Sequence, residues 1–146
     1  MRPKSMLWFD WLYLAALAIG LIASIQSFDF TLAQNRARPN IWHFGGPTLQ
    51  VMIALGFLLS VIWWFLIARR CYAWAKWIWL VFLLFDVIYL RSLVQMAQSG
   101  AMMPLTLGLM GLQILLKIAS AFCLFRQDAR AWFAAKGKPL DAAIFD

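Results

Sequence analysis

The chain has 146 residues, 64% of them hydrophobic and 13% charged, with 13 Lys and Arg against 6 Asp. Soluble domains carry about 25% charged residues, so this composition excludes an ordinary water-soluble domain, and it is far too apolar for a disordered segment. No internal repeat, low-complexity tract or heptad pattern runs through it, which sets aside solenoids and coiled coils.

Four apolar windows stand out, at 7–27, 48–68, 77–96 and 105–125. Each has the roughly 20 residues needed to cross a hydrocarbon core about 30 Å thick. They predict an all-α membrane protein, a four-transmembrane-helix antiparallel bundle forming one membrane domain over 1–146. The basic residues set its orientation. Arg2, Lys4, Arg69, Arg70, Lys76, Arg126, Arg130, Lys136 and Lys138 flank helix ends that share one side, whereas Arg36 and Arg38 lie opposite and Arg91 sits near that opposite face. By the positive-inside rule both termini are cytoplasmic, and the expected location is a bacterial inner membrane. Topology thus accounts for the net charge of +7 without nucleic acid.

The first window follows MRPK and begins at the aromatic cluster Leu7-Trp8-Phe9-Asp10-Trp11. The polarity is that of a signal peptide, but the apolar run is longer than the 7–15 residues of a signal core, so a retained anchor is expected. Ala16, Gly20 and Ser24 recur every four residues and make a face for close helix approach. Asp10, one turn inside, is placed to interact with the helix dipole or with Arg69, Arg70 or Arg126.

Residues 28–47 read as the one sizeable loop, predicted to be periplasmic, with Trp42, His43 and Phe44 at the outer interface. Gly45-Gly46-Pro47 stops it before the second window, which carries Gln50 and Gly56 and ends in Trp63-Trp64-Phe65. The short connections 69–76 and 97–104 make the second, third and fourth spans antiparallel neighbours in order. Cys71 and Cys123 fall at cytoplasmic ends without CxxC spacing and read as ordinary apolar thiols. In the tail, 126–146, helical continuation sets Trp132 and Phe133 into the interface, with Arg126, Arg130 and Lys136 turned to anionic headgroups. Eight of the nine tryptophans lie near the cytoplasmic side, where Trp63, Trp64, Trp77 and Trp132 read as interface anchors.

Asp86 and Lys117 lie deep in the third and fourth windows. They are nine residues from Trp77 and eight from Phe125, hence roughly 12–14 Å below the surface at about 1.5 Å per residue. A lone charge at that depth costs about 2.5–3.5 kcal/mol on insertion scales. The twelve Leu, Ile, Val and Phe of 77–96 contribute roughly −4 to −7 kcal/mol, so the third span inserts only marginally on its own. Opposite charges at matched depth on neighbouring antiparallel helices point to a pair. Gln113 and Ser120 share the face of Lys117, Tyr89 follows Asp86 at i+3, and Arg91 begins a second polar stripe, which together sketch a polar network.

Three readings of the pair are open: a proton or solute path, a structural contact that fixes helix packing, or charges that meet another subunit. Catalytic and metal chemistry has little to use. The chain has no Glu and one His, and neither GxSxG, HExxH nor a phosphate-cradling glycine loop occurs. His43 with Met96, Met102 and Met103 is a weak Cu(I) set lacking Met-x-Met spacing. No cofactor and no enzymatic activity are expected.

The stretch Ile67-Ala68-Arg69-Arg70, followed by Ala75-Lys76-Trp77-Ile78, and the closing Leu124-Phe125-Arg126 with Ala129-Arg130-Ala131-Trp132-Phe133, give the chain a layout that resembles small, uncharacterised proteobacterial four-helix inner-membrane proteins. That resemblance implies fold and location and brings no catalytic residue. The expected role is a non-enzymatic accessory or interaction subunit, working as a homo-oligomer or with a membrane-protein partner and in contact with anionic lipid. The alternative is a small proton-coupled transporter using Asp86 and Lys117.

Overall fold

The computed structural model describes residues 3–37, 45–98 and 103–136, apart from the side chains of Leu90, Leu93, Met96 and Ala97. Trp42, His43, Phe44, Met102 and Lys138 lie outside the described residues, and with them the expected outer aromatic cluster and most of the Cu(I) set. All regular structure among the described residues is helical: α1 (Lys4–Gln26), α2 (Phe28–Ala37), α3 (Gly46–Ala68), α4 (Ala73–Gln98), α5 (Pro104–Leu124) and α6 (Gln127–Ala134).

Proline marks three helix starts. Pro3 precedes α1 in extended backbone, Pro47 sits in the first turn of α3, and Pro104 opens α5. Its fixed φ suits the first turn, where the missing N–H would have no intrahelical acceptor anyway. The turn from α3 to α4 is tight. Cys71 takes a left-handed φ of 52°, and the N–H groups of Arg70 and Tyr72 return to the carbonyls of Phe65 and Leu66 at 3.2 and 3.3 Å. Those bonds satisfy carbonyls that the end of a helix leaves open.

Among the described residues three helices, α1, α3 and α5, are long and apolar enough to cross a membrane. α1 packs most extensively on α5, and further contacts of α5 with α4, α4 with α3 and α3 with α1 close a ring of four. Cross-helix contacts run in opposite directions along α1–α3 and along α4–α5. Tyr13 and Asp10 of α1 meet Ser60 and Trp64 of α3, while Trp77 and Asp86 of α4 meet Phe125 and Lys117 near and within α5.

The buried core gathers at one end of this ring, where α1 and α4 begin and α3 and α5 finish. Met6, Phe9, Ile67, Leu124 and Ala129 are sealed there, around a ring cluster in which Phe9, Tyr13 and Trp79 lie 5.4–6.2 Å apart between centroids. Such offset and edge-on aromatic contacts add about 0.5–1.5 kcal/mol each beyond area burial. Away from that end, Val51, Leu55, Leu58 and Ile62 of α3 and Val81, Leu84 and Ile88 of α4 are exposed. Apolar surface of this extent is what hydrocarbon or another protein covers.

Two expectations change. The segment 28–47 is not all loop, because its first half forms α2. Asp29 lies in the first turn and Arg36 in the last, each favourable to the helix dipole, and the Thr31 hydroxyl donates to the Ser27 carbonyl at 2.9 Å. Phe28 and Leu32, one turn apart, share a face that reaches Gly46 at the start of α3. The tail also differs, since α5 stops at Leu124 and the extended backbone of Arg126 restarts the chain as α6. Its Trp132 and Phe133 are buried in the bundle core rather than laid on a lipid interface. The kink is what folds their rings back under α1.

Candidate functional site

Antiparallel packing of α4 on α5 carries Lys117 to the level of Asp86, and Lys117 Nζ donates to Asp86 Oδ2 at 2.6 Å. The Lys117 side chain is 17% exposed and the Asp86 side chain 39%. The contact therefore lies within the fold on the lysine side and opens outward at the carboxylate. An ammonium has three protons, so Lys117 keeps donor capacity beyond this bond.

The residues expected around the pair divide. Tyr89 and Gln113 join Asp86 and Lys117 in lining a cavity of about 160 Å³ between α4 and α5. Ser120 is buried, but its hydroxyl donates to the Lys117 carbonyl at 2.8 Å, a bond within its own helix rather than to the ammonium. Arg91 is exposed on the surface of α4. Gln113 also packs against α1, where its carboxamide lies at the place a Cβ on Gly20 would occupy, so the glycine is what admits it. The Ala16-Gly20-Ser24 face thereby serves contact with α5 within the chain, with the Ser24 hydroxyl donating to the Gly20 carbonyl at 2.8 Å.

Two groups not foreseen in the sequence also border the pair. The Tyr13 hydroxyl donates to the Ser60 carbonyl at 2.9 Å, tying α1 to α3. Both residues line a cavity of about 290 Å³ that reaches Asp86 and Lys117. Ser60 also borders a third cavity, of about 230 Å³, with Gly20, Ser24 and Gln113. Shared lining residues thus link the hollow parts of the bundle around one ion pair. The only available signal was a hydroxyl side chain among several inside the apolar windows, which most spans tolerate without meaning.

The basic end is built differently. Lys4, Arg69, Arg70, Arg126, Arg130 and Lys136 are exposed there, and Arg69 lies 5.7 Å from the ring centre of Trp64. The Lys76 ammonium sits 5.1 Å from the Phe133 ring and 5.6 Å from that of Phe125, joining α4 to the restarted tail by cation–π contact. Of the expected anchors, Trp77 is exposed, Trp63 and Trp64 are half-buried and Trp132 is buried. Asp10 accepts a hydrogen bond from Trp64 Nε1 at 2.9 Å, so an indole is one of its partners where a dipole or an arginine was anticipated.

Asp128 closes the same end. It accepts the Ser5 N–H at 3.3 Å and so caps the start of α1 from the first turn of α6. Partial desolvation opposes its charge, but the Ser5 hydroxyl dipole, the Ser5 N–H and the amides of Ala129 and Asp128 outweigh it and hold the carboxyl below its usual range. The Ser5 hydroxyl lies beside that carboxylate without reaching hydrogen-bonding geometry. Among the described residues, no three of His, Cys, Asp and Glu gather in a metal-binding arrangement. Set against models of known families, curated proteins and solved structures, the chain finds no match in any of the three.

Proposed function

We propose that this chain is an inner-membrane protein of four antiparallel spans with both ends cytoplasmic, working as a non-enzymatic accessory or interaction subunit. The observation that carries this reading is the Lys117–Asp86 contact, closed within one chain at 2.6 Å. A pair satisfied inside the chain pins α4 to α5 and gives a marginal third span its partner, which is the behaviour of a packing element. It also leaves the exposed apolar faces of α3 and α4, rather than an unpaired charge, to meet lipid or another subunit. The exposed cations at one end support this orientation.

Crosslinking in native membranes, followed by purification in mild detergent and mass measurement, tests this. A stoichiometric complex with a second protein or with further copies of the chain is expected. A monomer without crosslinks to any partner overturns the subunit reading.

A second reading is favoured by one observation, the cavities that adjoin the pair on both sides. On that reading the chain is a small proton-coupled transporter, oligomerised to complete its path. Asp86→Asn then abolishes pH-dependent flux in liposomes while insertion and fold persist; flux that survives the substitution removes this alternative.

A further inference from the structure

The 290 Å³ cavity has a floor, walls and a mouth of different chemistry. Its floor is polar: the Asp86–Lys117 pair, with the Tyr13–Ser60 hydrogen bond beside it. Its walls are mainly rings, with Tyr13, Trp63, Trp79, Phe82 and Phe85 contributing beside Leu83. Its mouth lies at the α3–α4 seam, where a Cβ added to Gly56 would meet nothing within 4 Å and where Leu59 and Phe85 are 55% and 63% exposed.

Each feature restricts the occupant. Plus and minus cancel on the floor, and a net charge at hydrocarbon depth is costly, so the occupant is uncharged. Lys117 retains protons beyond the one it gives to Asp86, so the occupant carries oxygen acceptors. Flat aromatic walls select a planar ring over a flexible glycerol head. The volume is at the small end of ligand pockets, enough for a substituted six-membered ring and too little for an entire lipid. A tail must therefore leave through the mouth, between two helices whose outward surfaces are apolar.

We propose that this cavity binds the head of an uncharged, ring-headed amphiphile of the quinone class, with a ring oxygen on Lys117 and the tail passing between α3 and α4. Binding alone is proposed, with no change of redox state. The proposal rests on α4 lying in the bilayer.

The test titrates a decyl-substituted 1,4-benzoquinone into the full chain in phosphatidylcholine nanodiscs, by calorimetry, with decanol as competitor. Saturable binding at one site per chain is expected, with decanol unable to displace it. Gly56→Leu, which fills the mouth on a lipid-compatible helix, should weaken binding at least tenfold while helicity and melting stay unchanged. Asp86→Leu combined with Lys117→Leu, which removes the floor without leaving a lone charge, should weaken it similarly. Absence of saturable binding, equal displacement by decanol, or unchanged affinity in a folded Gly56→Leu protein each overturns the proposal. Leu84→Cys separates this failure from failure of the four-span reading. Labelling of that outward-facing α4 thiol in vesicles by an aqueous maleimide shows that α4 is not embedded, and the proposal then falls with that reading.

Discussion

Lys117 donates to Asp86 across the α4–α5 seam at 2.6 Å, while the carboxylate, which borders a cavity on either side, remains 39% exposed. This asymmetry sets what each substitution costs. Asp86→Leu leaves an ammonium alone on the more enclosed side, and Lys117→Leu leaves a carboxylate that still has an outward path. A lone central charge costs about 2.5–3.5 kcal/mol on insertion scales. We therefore expect Asp86→Leu to lose about 2–3 kcal/mol and Lys117→Leu somewhat less, with the double substitution close to the parent. Unfolding in mixed micelles, read as a double-mutant cycle, checks this. Additive losses would mean that the two charges do not act as a pair.

The α1–α3 contact includes two hydrogen bonds, Tyr13 to the Ser60 carbonyl and Trp64 Nε1 to Asp10, both at 2.9 Å. Interhelical hydrogen bonds in membrane proteins average about 0.6 kcal/mol, with a maximum near 1.7 kcal/mol. Tyr13→Phe should cost about 0.6 kcal/mol, because the ring cluster with Phe9 and Trp79 survives. Trp64→Phe should cost about 1 kcal/mol or more, since it removes a donor from an acidic side chain. The same unfolding measurement ranks them, and a larger loss for Tyr13→Phe would contradict the assignment.

These two sites also show what could be read from the sequence. Asp86 and Lys117 announce themselves because charge in an apolar window has few acceptable explanations. Tyr13 and Ser60 do not, because one hydroxyl in such a window is cheap and common. The windows were legible as helices, whereas their inward faces were not: a helix meant for lipid is apolar all round, so periodicity no longer separates core from surface. Small residues partly restore that information, and Gly20 marks the α1 face that receives Gln113. α2 carries little signal because its residues are polar on balance, and only Asp29, Arg36 and the Phe28–Leu32 spacing indicate it. Trp132 misled in the opposite direction. An indole beyond a span reads as an interface anchor, but the break at Arg126 turns it inward.

Asp128 makes the α6 clamp sensitive to acid. Its carboxyl is held below its ordinary value, so the folded state favours the ionised form. Such a group stabilises fully above its unfolded pKa, about 3.9, and loses that contribution as pH falls through the lower folded value. Wild-type protein should therefore lose protection of the Ser5 amide below about pH 4, measured by hydrogen exchange. Asp128→Asn should show reduced protection already at neutral pH and little further change in acid. An acid-sensitive Ser5 amide in the Asn variant would assign the effect to another group.

The exposed cations beyond α5 give a prediction that depends on lipid charge. Arg126, Arg130 and Lys136 are exposed on or beside α6, and Trp74 and Trp77 are exposed at the start of α4. A basic side chain near an anionic surface contributes about 1 kcal/mol, screened beyond roughly 8 Å at physiological salt. Brominated phosphatidylglycerol should therefore quench the tryptophan fluorescence more than brominated phosphatidylcholine at equal mole fraction. Substituting all three cations by Gln should remove most of that preference, as should raising salt to about 1 M, where the screening length falls to about 3 Å. The overall extent of quenching should stay constant, because the apolar surface of α3 and α4 is untouched. A preference that persists in the triple variant at high salt would locate anionic-lipid recognition away from α6, leaving the cations to orientation alone.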